Sequence, residues 1–323
     1  MLMRLFFTML FVSERKQIAF MADEKSPARI SHRLFAIRCS EMENIVDNKN
    51  KIDRIQMGLL EEIADLHGVP EGAYNIRANG QLAGRNTTAN IDIVTKTDKP
   101  GIDIIIKPNT KNESVHIPVV LSQTGLTDLV YNDFYIGENC NVTIIAGCGI
   151  HNGGEKKSQH DGIHTFYVGE NSKLKYVEKH YGEGDGSGEN VMNPTTIVHI
   201  ANGGYMEMET VQIKGIDSTD RITKAELGDN ATLIIKEKLM THGKQYAKSE
   251  FEVNLNGKNS STNVISRAVA KEDSKQLFVS KINGNNMCAG HSECDAIIMD
   301  NAKISAIPEI CLLYTSPSPR DRG

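Results

Sequence analysis

Apolar positions change their period once along this chain. Ile52, Ile55, Leu59, Leu60, Ile63 and Leu66 recur at steps of three and four, which gathers one face of a helix and predicts one over Asp53 to His67. Gly68 supplies the expected C-cap, and Pro70 prevents continuation because it has no N–H to donate. From Ile91 the period becomes two. Ile91 and Ile93, then Ile102, Ile104 and Ile106, alternate with polar residues. Asp98-Lys99-Pro100-Gly101 and Lys107-Pro108-Asn109 punctuate them, so half-buried strands separated by turns are expected. Val115 to Leu121 is a further apolar run, and Pro118 inside it predicts an edge or a bend.

A loose repeat runs on from there. Asn139 is followed by Val142 and Ile144, Asn171 by Leu174 and Tyr176, Gly203 by Met206 and Met208, Asn230 by Leu233 and Ile235, and Asn301 by Ile304 and Ala306. A turn residue thus precedes inward candidates at +3 and +5, and the first three intervals are 32, 32 and 27 residues. Between Asn230 and Asn301 the anchor blurs around Asn256 to Val264. Turn–strand repeats of this length suit stacked β-coils. An antiparallel sandwich or jelly roll is the rival, since spacing alone does not fix pairing.

Composition narrows the picture. The chain of 323 residues carries a net charge of −5, which argues against a nucleic-acid binder. It has no Trp, few aromatics and much Asn, Gly, Thr and Val, a strand-and-turn composition. The apolar run Leu5 to Val12 is too short to span a bilayer. Residues 1–41 read as an over-called start with initiation near Met42, and 311–323, from Cys311, as an adapter-derived, non-native tail. Between them lie an N-terminal helical segment, 42–90, and the β core, 91–310. Without Cys39 and Cys311, four cysteines remain, too sparse for a disulfide framework, so a reducing cytoplasmic setting is expected.

Ligand-rich chemistry concentrates in Asn286 to Asn301, where Cys288, Cys294, His291, Glu293, Asp295 and Asp300 fall within sixteen residues. If Glu293 to Met299 is a strand, Cys294, Ala296 and Ile298 share one face while Glu293 and Asp295 lie on the other. Cys294 then reads either as a small buried hydrophobe or as a reactive thiol. Adjacent carboxylates would raise its pKa, and a protonated His291 or a soft metal would lower it. A second segment offers Cys148, His151, His160 and His164, acceptable metal ligands in no standard spacing, with His160 to His164 read as a loop entering a strand. His180 to Gly188 is glycine-rich but lacks a Gly-Lys-Ser/Thr ending, which makes it a surface excursion and not a phosphate loop.

Cys294-Asp295-Ala296-Ile297-Ile298, with Ala302-Lys303-Ile304-Ser305-Ala306-Ile307-Pro308-Glu309 after it, resembles the core of the SufB/SufD family, scaffold subunits of the Suf iron–sulfur cluster assembly machinery. The likeness is to the short SufB-like form that pairs with the SufC ATPase. It covers about Ile52 to Ile310 and is specific at Cys148, Cys294 and Glu309. It implies a mainly β fold: a right-handed parallel β-helix core with a small N-terminal α/β portion. It implies a non-enzymatic scaffold in which Cys294 accepts sulfur and holds a nascent iron–sulfur cluster. Cys288 and Cys148 are further sulfur or cluster candidates, with His291, Glu293 and Glu309 as auxiliary ligands. The implied partners are a SufC-type ATPase, a sulfur donor protein, apo iron–sulfur proteins and a second copy, with neither nucleic acid nor membrane. The family's His-Glu pair and SufC-docking helical region do not follow Ile310, so weak ATPase binding is expected of this truncated form. Two rivals stand beside this reading. One is a cupin-like mononuclear metal enzyme using Cys148, His151, His160 and His164; the other is a solenoid without chemistry.

Overall fold

A computed structural model describes residues 52–66 and 70–312. The expected start region, Gly68 and the tail beyond Leu312 lie outside these residues. Helix α1 (Arg54–Ala64) opens with a reciprocal capping box. Gln56 N donates to Asp53 Oδ1 at 2.8 Å, and Asp53 N donates to Gln56 Oε1 at 3.1 Å, which satisfies two donors that a helix start otherwise leaves orphaned. The helix closes earlier than its apolar period suggests. Asp65 takes a left-handed φ of 52° and donates its N–H to Glu61 O, a turn that a short polar side chain tolerates.

Nineteen strands follow among the described residues. The first are β1 (Ala73–Ala78), β2 (Gln81–Asn86), β3 (Ile91–Thr95), β4 (Gly101–Ile106), β5 (Lys111–Leu121) and β6 (Thr127–Ile136). Next come β7 (Asn141–His151), β8 (Ser158–Val168), β9 (Lys173–Glu183), β10 (Asn190–Met192), β11 (Thr195–Ile200), β12 (Tyr205–Lys214) and β13 (Ser218–Leu227). The last are β14 (Thr232–Thr241), β15 (Tyr246–Leu255), β16 (Ser260–Ala270), β17 (Lys275–Gly284), β18 (Cys288–Ile298) and β19 (Lys303–Leu312). Sheet one runs β2-β1-β5-β7-β9-β12-β14-β16-β18, and sheet two runs β3-β4-β6-β8-β10-β13-β15-β17-β19, with β11 continuing the β10 position. From β5 on, the chain alternates between the sheets, and each strand pairs in parallel with the one a full coil earlier. This is a parallel β-solenoid of about seven turns, which excludes the antiparallel sandwich. Residues 42–90, expected as a helical segment, hold α1 and then β1 and β2, which extend sheet one.

The coil repeats because its corner repeats. Asn109, Asn139, Asn171, Asn230 and Asn259 all sit at φ between 54° and 64°, and Gly203 at 68°, the left-handed region that glycine and asparagine enter at least cost. Asn259 is the turn that the sequence blurred. Asn301 belongs to the opposite corner, where Gly243, Glu272 and Asp300 take φ of 59–60°, so its strand lies in sheet two. The +3 and +5 residues from Val142 to Ile235 enter one continuous core. Phe134 and Phe166 stack there with centroids 4.3 Å apart.

Two local features differ from expectation. Pro118 lies in an interior strand, not at an edge. The β1–β5 ladder skips Ile117 and Pro118, so the missing N–H costs no rung there. Residues 184–188 are a corner stacked flat on the coil before it. A Cβ on Gly184 or Gly186 would fall 2.2 Å from Asn152 O or Gly154 O, an approach only glycine allows. Helix α1 covers the outer face of sheet one through Leu59, Leu60 and Ile63. Gly147 makes room for it, since a Cβ there would sit 2.7 Å from Ile63 O. No helix among the described residues is long and apolar enough to cross a membrane.

Candidate functional site

Parallel register stacks equivalent residues into rows. One inward row of sheet one reads Ala146, Glu178, Thr210, Glu237, Ser266, Cys294. Two residues further along each strand, the next inward row reads Val119, Cys148, His180, Gln212, Leu239, Ala268. Sheet two faces them with Asp128 and His160 in register, followed by Arg221 and Ser249. A solenoid core is expected to be apolar, yet these positions form a buried polar strip along the axis. Cys148 and Cys294 stand five rungs apart on it, about 24 Å at the usual interstrand spacing.

At the Cys148 end the strip resembles a thiol–imidazole–carboxylate arrangement. Burial pushes the Cys148 thiol up, but His160, followed by His180, outweighs it and brings the thiol down to about 7. Burial also opposes charge on His160. The Cys148 thiolate and the Asp128 carboxylate, 3.1 Å from Nδ1, nevertheless raise it to about 10. Asp128 is held in turn by Arg77 Nη2 at 3.0 Å. His164, four residues along the same inward face, behaves oppositely. Burial drives it down to about 4, and it makes neutral contacts with Tyr176 Oη at 2.9 Å and Asn132 Nδ2 at 3.4 Å.

The middle of the strip is an ion network. Glu178 is 1% exposed and accepts from Arg221 Nη1 at 2.6 Å and Tyr176 Oη at 3.0 Å. Burial would raise its carboxyl, but His180 and Arg221 hold it well below the usual carboxylate range. Arg221 Nε lies 4.0 Å from Glu237 Oε1. Glu237 accepts from Ser249 Oγ at 2.5 Å and Ser266 Oγ at 2.7 Å. Two adjoining cavities of about 10 Å³ each share Glu237, Leu239 and Ser249, and the second reaches Cys294. Each has room for about one water; the first is walled by polar and apolar groups alike, the second, at Cys294, mostly by apolar ones.

Cys294 lies half-buried on the strip at the last described coil, packed against the main core. Its thiol is pushed up to about 11, by burial first, then by Glu237 and Asp295. The direction follows the expectation from neighbouring carboxylates, although Glu237, which raises it more than Asp295, is 57 residues away in sequence. Cys288 shares the inward face of β18 but lies six residues back, about 20 Å along a strand. It sits in the apolar core with its thiol raised by burial.

The remaining candidates do not converge on Cys294. His291 and Glu293 occupy the opposite face of β18, paired with each other at 3.2 Å, and Arg267 holds Glu293 and Asp295 at 2.8 Å each. Glu309 is exposed on β19, on the face away from the interior. His151 ends β7 and pairs with Glu183 at 3.3 Å, while His160 and His164 lie within strand β8 and point inward. Among the described residues no group of three or more His, Cys, Asp or Glu converges as a metal site. The structure therefore joins Cys148 to His160, and neither assembles the four-ligand site nor a cage around Cys294. Asp128, Glu178, His180, Arg221 and Glu237 were missed. Their signal was register: 128 and 160, or 148, 180 and 212, are separated by the 32-residue coil length.

Comparison with known proteins adds a family match. The SUF system FeS cluster assembly SufBD core domain matches residues 130–313. An iron-sulfur cluster assembly SufBD family protein of Methanocaldococcus jannaschii is 26% identical over 208 residues, covering 64% of this chain and 65% of the relative. One from Archaeoglobus fulgidus is 27% identical over 187 residues, 57% of this chain and 49% of the relative. One from Pyrococcus horikoshii is 23% identical over 238 residues, 72% and 71%. The chain thus spans just under two thirds of the first relative and about half of the second.

Proposed function

Because the chain belongs to the SufBD family of iron–sulfur cluster assembly proteins, we propose that it is a non-enzymatic scaffold on which a nascent cluster is built as cargo. Support comes chiefly from one observation: an inward polar strip carries a half-buried thiol, Cys294, on the last described coil. Thiolates are the natural ligands of such clusters. One thiol beside a water-sized, mostly apolar cavity is an incomplete cage, and a scaffold must release what it assembles. Cys294 is protonated at rest, so iron binding displaces its proton. Cys148, about half thiolate near neutrality, suits the entry of sulfane sulfur, because the thiolate is the attacking form. The remaining ligands, the energy and the traffic come from partners: a SufC-type ATPase, a persulfide donor, apo recipients and a second copy of this chain. Operation in the reducing cytoplasm fits the unpaired cysteines.

Anaerobic reconstitution of the full chain with ferrous iron and sulfide tests the reading. Visible sulfur-to-iron charge-transfer absorption is expected in the wild type and in Cys288→Ala, and is expected to weaken strongly in Cys294→Ala. Equal absorption in all three would sink the assignment of Cys294.

A further inference from the structure

At the Cys148 end of the strip, His160 is 3% exposed, and its Nε2 has no nitrogen or oxygen partner among the described residues; the Cys148 sulfur is the group it acts on. A histidine kept for packing alone would have both ring nitrogens satisfied or solvated. This one is anchored to oxygen on one side only, Nδ1 on Asp128 Oδ2 at 3.1 Å, with Asp128 Oδ1 fixed by Arg77 Nη2 at 3.0 Å. Asp128 and His160 are Cα partners on adjacent strands of sheet two, so the ring is set by the register itself. Its other edge turns into the interior that Cys148 shares from sheet one.

We infer that Asp128 is a positioning residue for Cys148: it fixes and charges His160 so that Nε2–H is aimed at the terminal sulfur of a Cys148 persulfide. This rests on the reading of Cys148 as the thiol that admits sulfur. The donor is a protein or small-molecule persulfide, R–S–SH. The Cys148 thiolate attacks the terminal sulfur, a new S–S bond forms and the donor S–S bond breaks. R–S⁻ leaves with the bonding pair and takes up the proton. The products are R–SH and Cys148–S–S⁻, so atoms and charge balance and no outside oxidant enters. His160 Nε2–H then meets the anionic terminal sulfur.

Other charges face the same space. His180 stands beside Cys148 on β9, where Glu178 raises it against desolvation. Arg221 Nη2 lies 3.2 Å from His180 Nδ1. Glu178 separates this group from Tyr176 and His164. Of these groups, His180 also acts directly on Cys148. Asp128 bridges His160 and Arg77, which also donates to Gly80 O at 2.9 Å, and Asp128 is the carboxylate that touches His160.

Site-resolved alkylation of Cys148 by iodoacetamide across pH, read by peptide mass spectrometry on the full chain, is the test. The wild-type midpoint is expected near the thiol's lowered value of about 7. Asp128→Asn should raise it by about one unit or more, slowing alkylation below the midpoint about tenfold, and Asp128→Glu should restore it. An unchanged midpoint in a folded Asp128→Asn protein overturns the inference. Should that variant not fold, ¹⁵N-histidine NMR of the wild type decides. A doubly protonated His160 at pH 8 supports the inference, and a neutral ring overturns it. Glutathione persulfide separates the two layers. A wild type that gains no sulfur on Cys148 overturns the entry-thiol reading and the aim of Nε2 with it. Sulfur gained with an unchanged Asp128→Asn midpoint overturns only the role of Asp128.

Discussion

Glu178→Gln is the sharpest structural perturbation available. The substitution keeps size and one acceptor but removes the charge between Arg221 Nη1 at 2.6 Å, His180 Nε2 at 3.5 Å and Tyr176 Oη at 3.0 Å. Arg221, 2% exposed, is then left with Glu237, whose nearest approach is 4.0 Å. Breaking a buried pair on one side costs about 3–5 kcal/mol. Glu237 supplies partial compensation, so about 3 kcal/mol is expected. The assay is urea denaturation at pH 7 followed by far-UV circular dichroism, read as a shift of midpoint at constant slope. Adding Arg221→Met should recover more than half of the loss, because removing both charges also removes the desolvation cost. A Glu178→Gln protein within about 0.5 kcal/mol of wild type, or a double variant whose losses add, would refute the ion network as described.

Two further outcomes follow from the same interior. Between about 7 and 9 the raised His160 and the lowered Cys148 change proton binding in opposite senses and cancel. Above pH 9 the unfolded thiol ionises too and the cancellation ends, so His160 adds a loss of stability as pH rises from about 9 to about 10. The fall in urea midpoint between about pH 9 and 10 should be smaller in His160→Gln, and an equal fall in that variant contradicts the assignment. Gly147→Val should lift α1, since its Cβ would lie 2.7 Å from Ile63 O and 2.8 Å from Ile63 Cβ. The expected cost is about 1–3 kcal/mol, with faster proteolysis within 54–64, and unchanged cleavage there would contradict the packing.

Much of the coil was readable from the chain because its corner is a backbone requirement. Asparagine or glycine at φ of 54–68° marks the entries to sheet one from β5 to β16, and the +3 and +5 residues point inward by strand parity. What parity could not reveal was which corner Asn301 serves, because both corners use the same left-handed turn. The site was harder to read for a related reason. Cys288 and Cys294 have the same parity and so face the same way, but parity says nothing of the strand length between them. His291 and Glu293 have opposite parity to Cys294, which already excluded them as joint ligands on one strand. Glu178, His180, Arg221 and Glu237 look like surface residues on composition. Only stacking at coil-length offsets turns them into one buried strip.

The central claim is that the Cys294 thiol on this strip is a ligand of the assembled cluster. Replacing Cys294 with selenocysteine, with the other cysteines intact, allows selenium-edge X-ray absorption on the reconstituted protein. An iron neighbour directly bonded to selenium is expected, and it should disappear when the cluster is transferred to an apo acceptor. A selenium environment of light atoms only, in a protein that nevertheless carries a cluster, would contradict it.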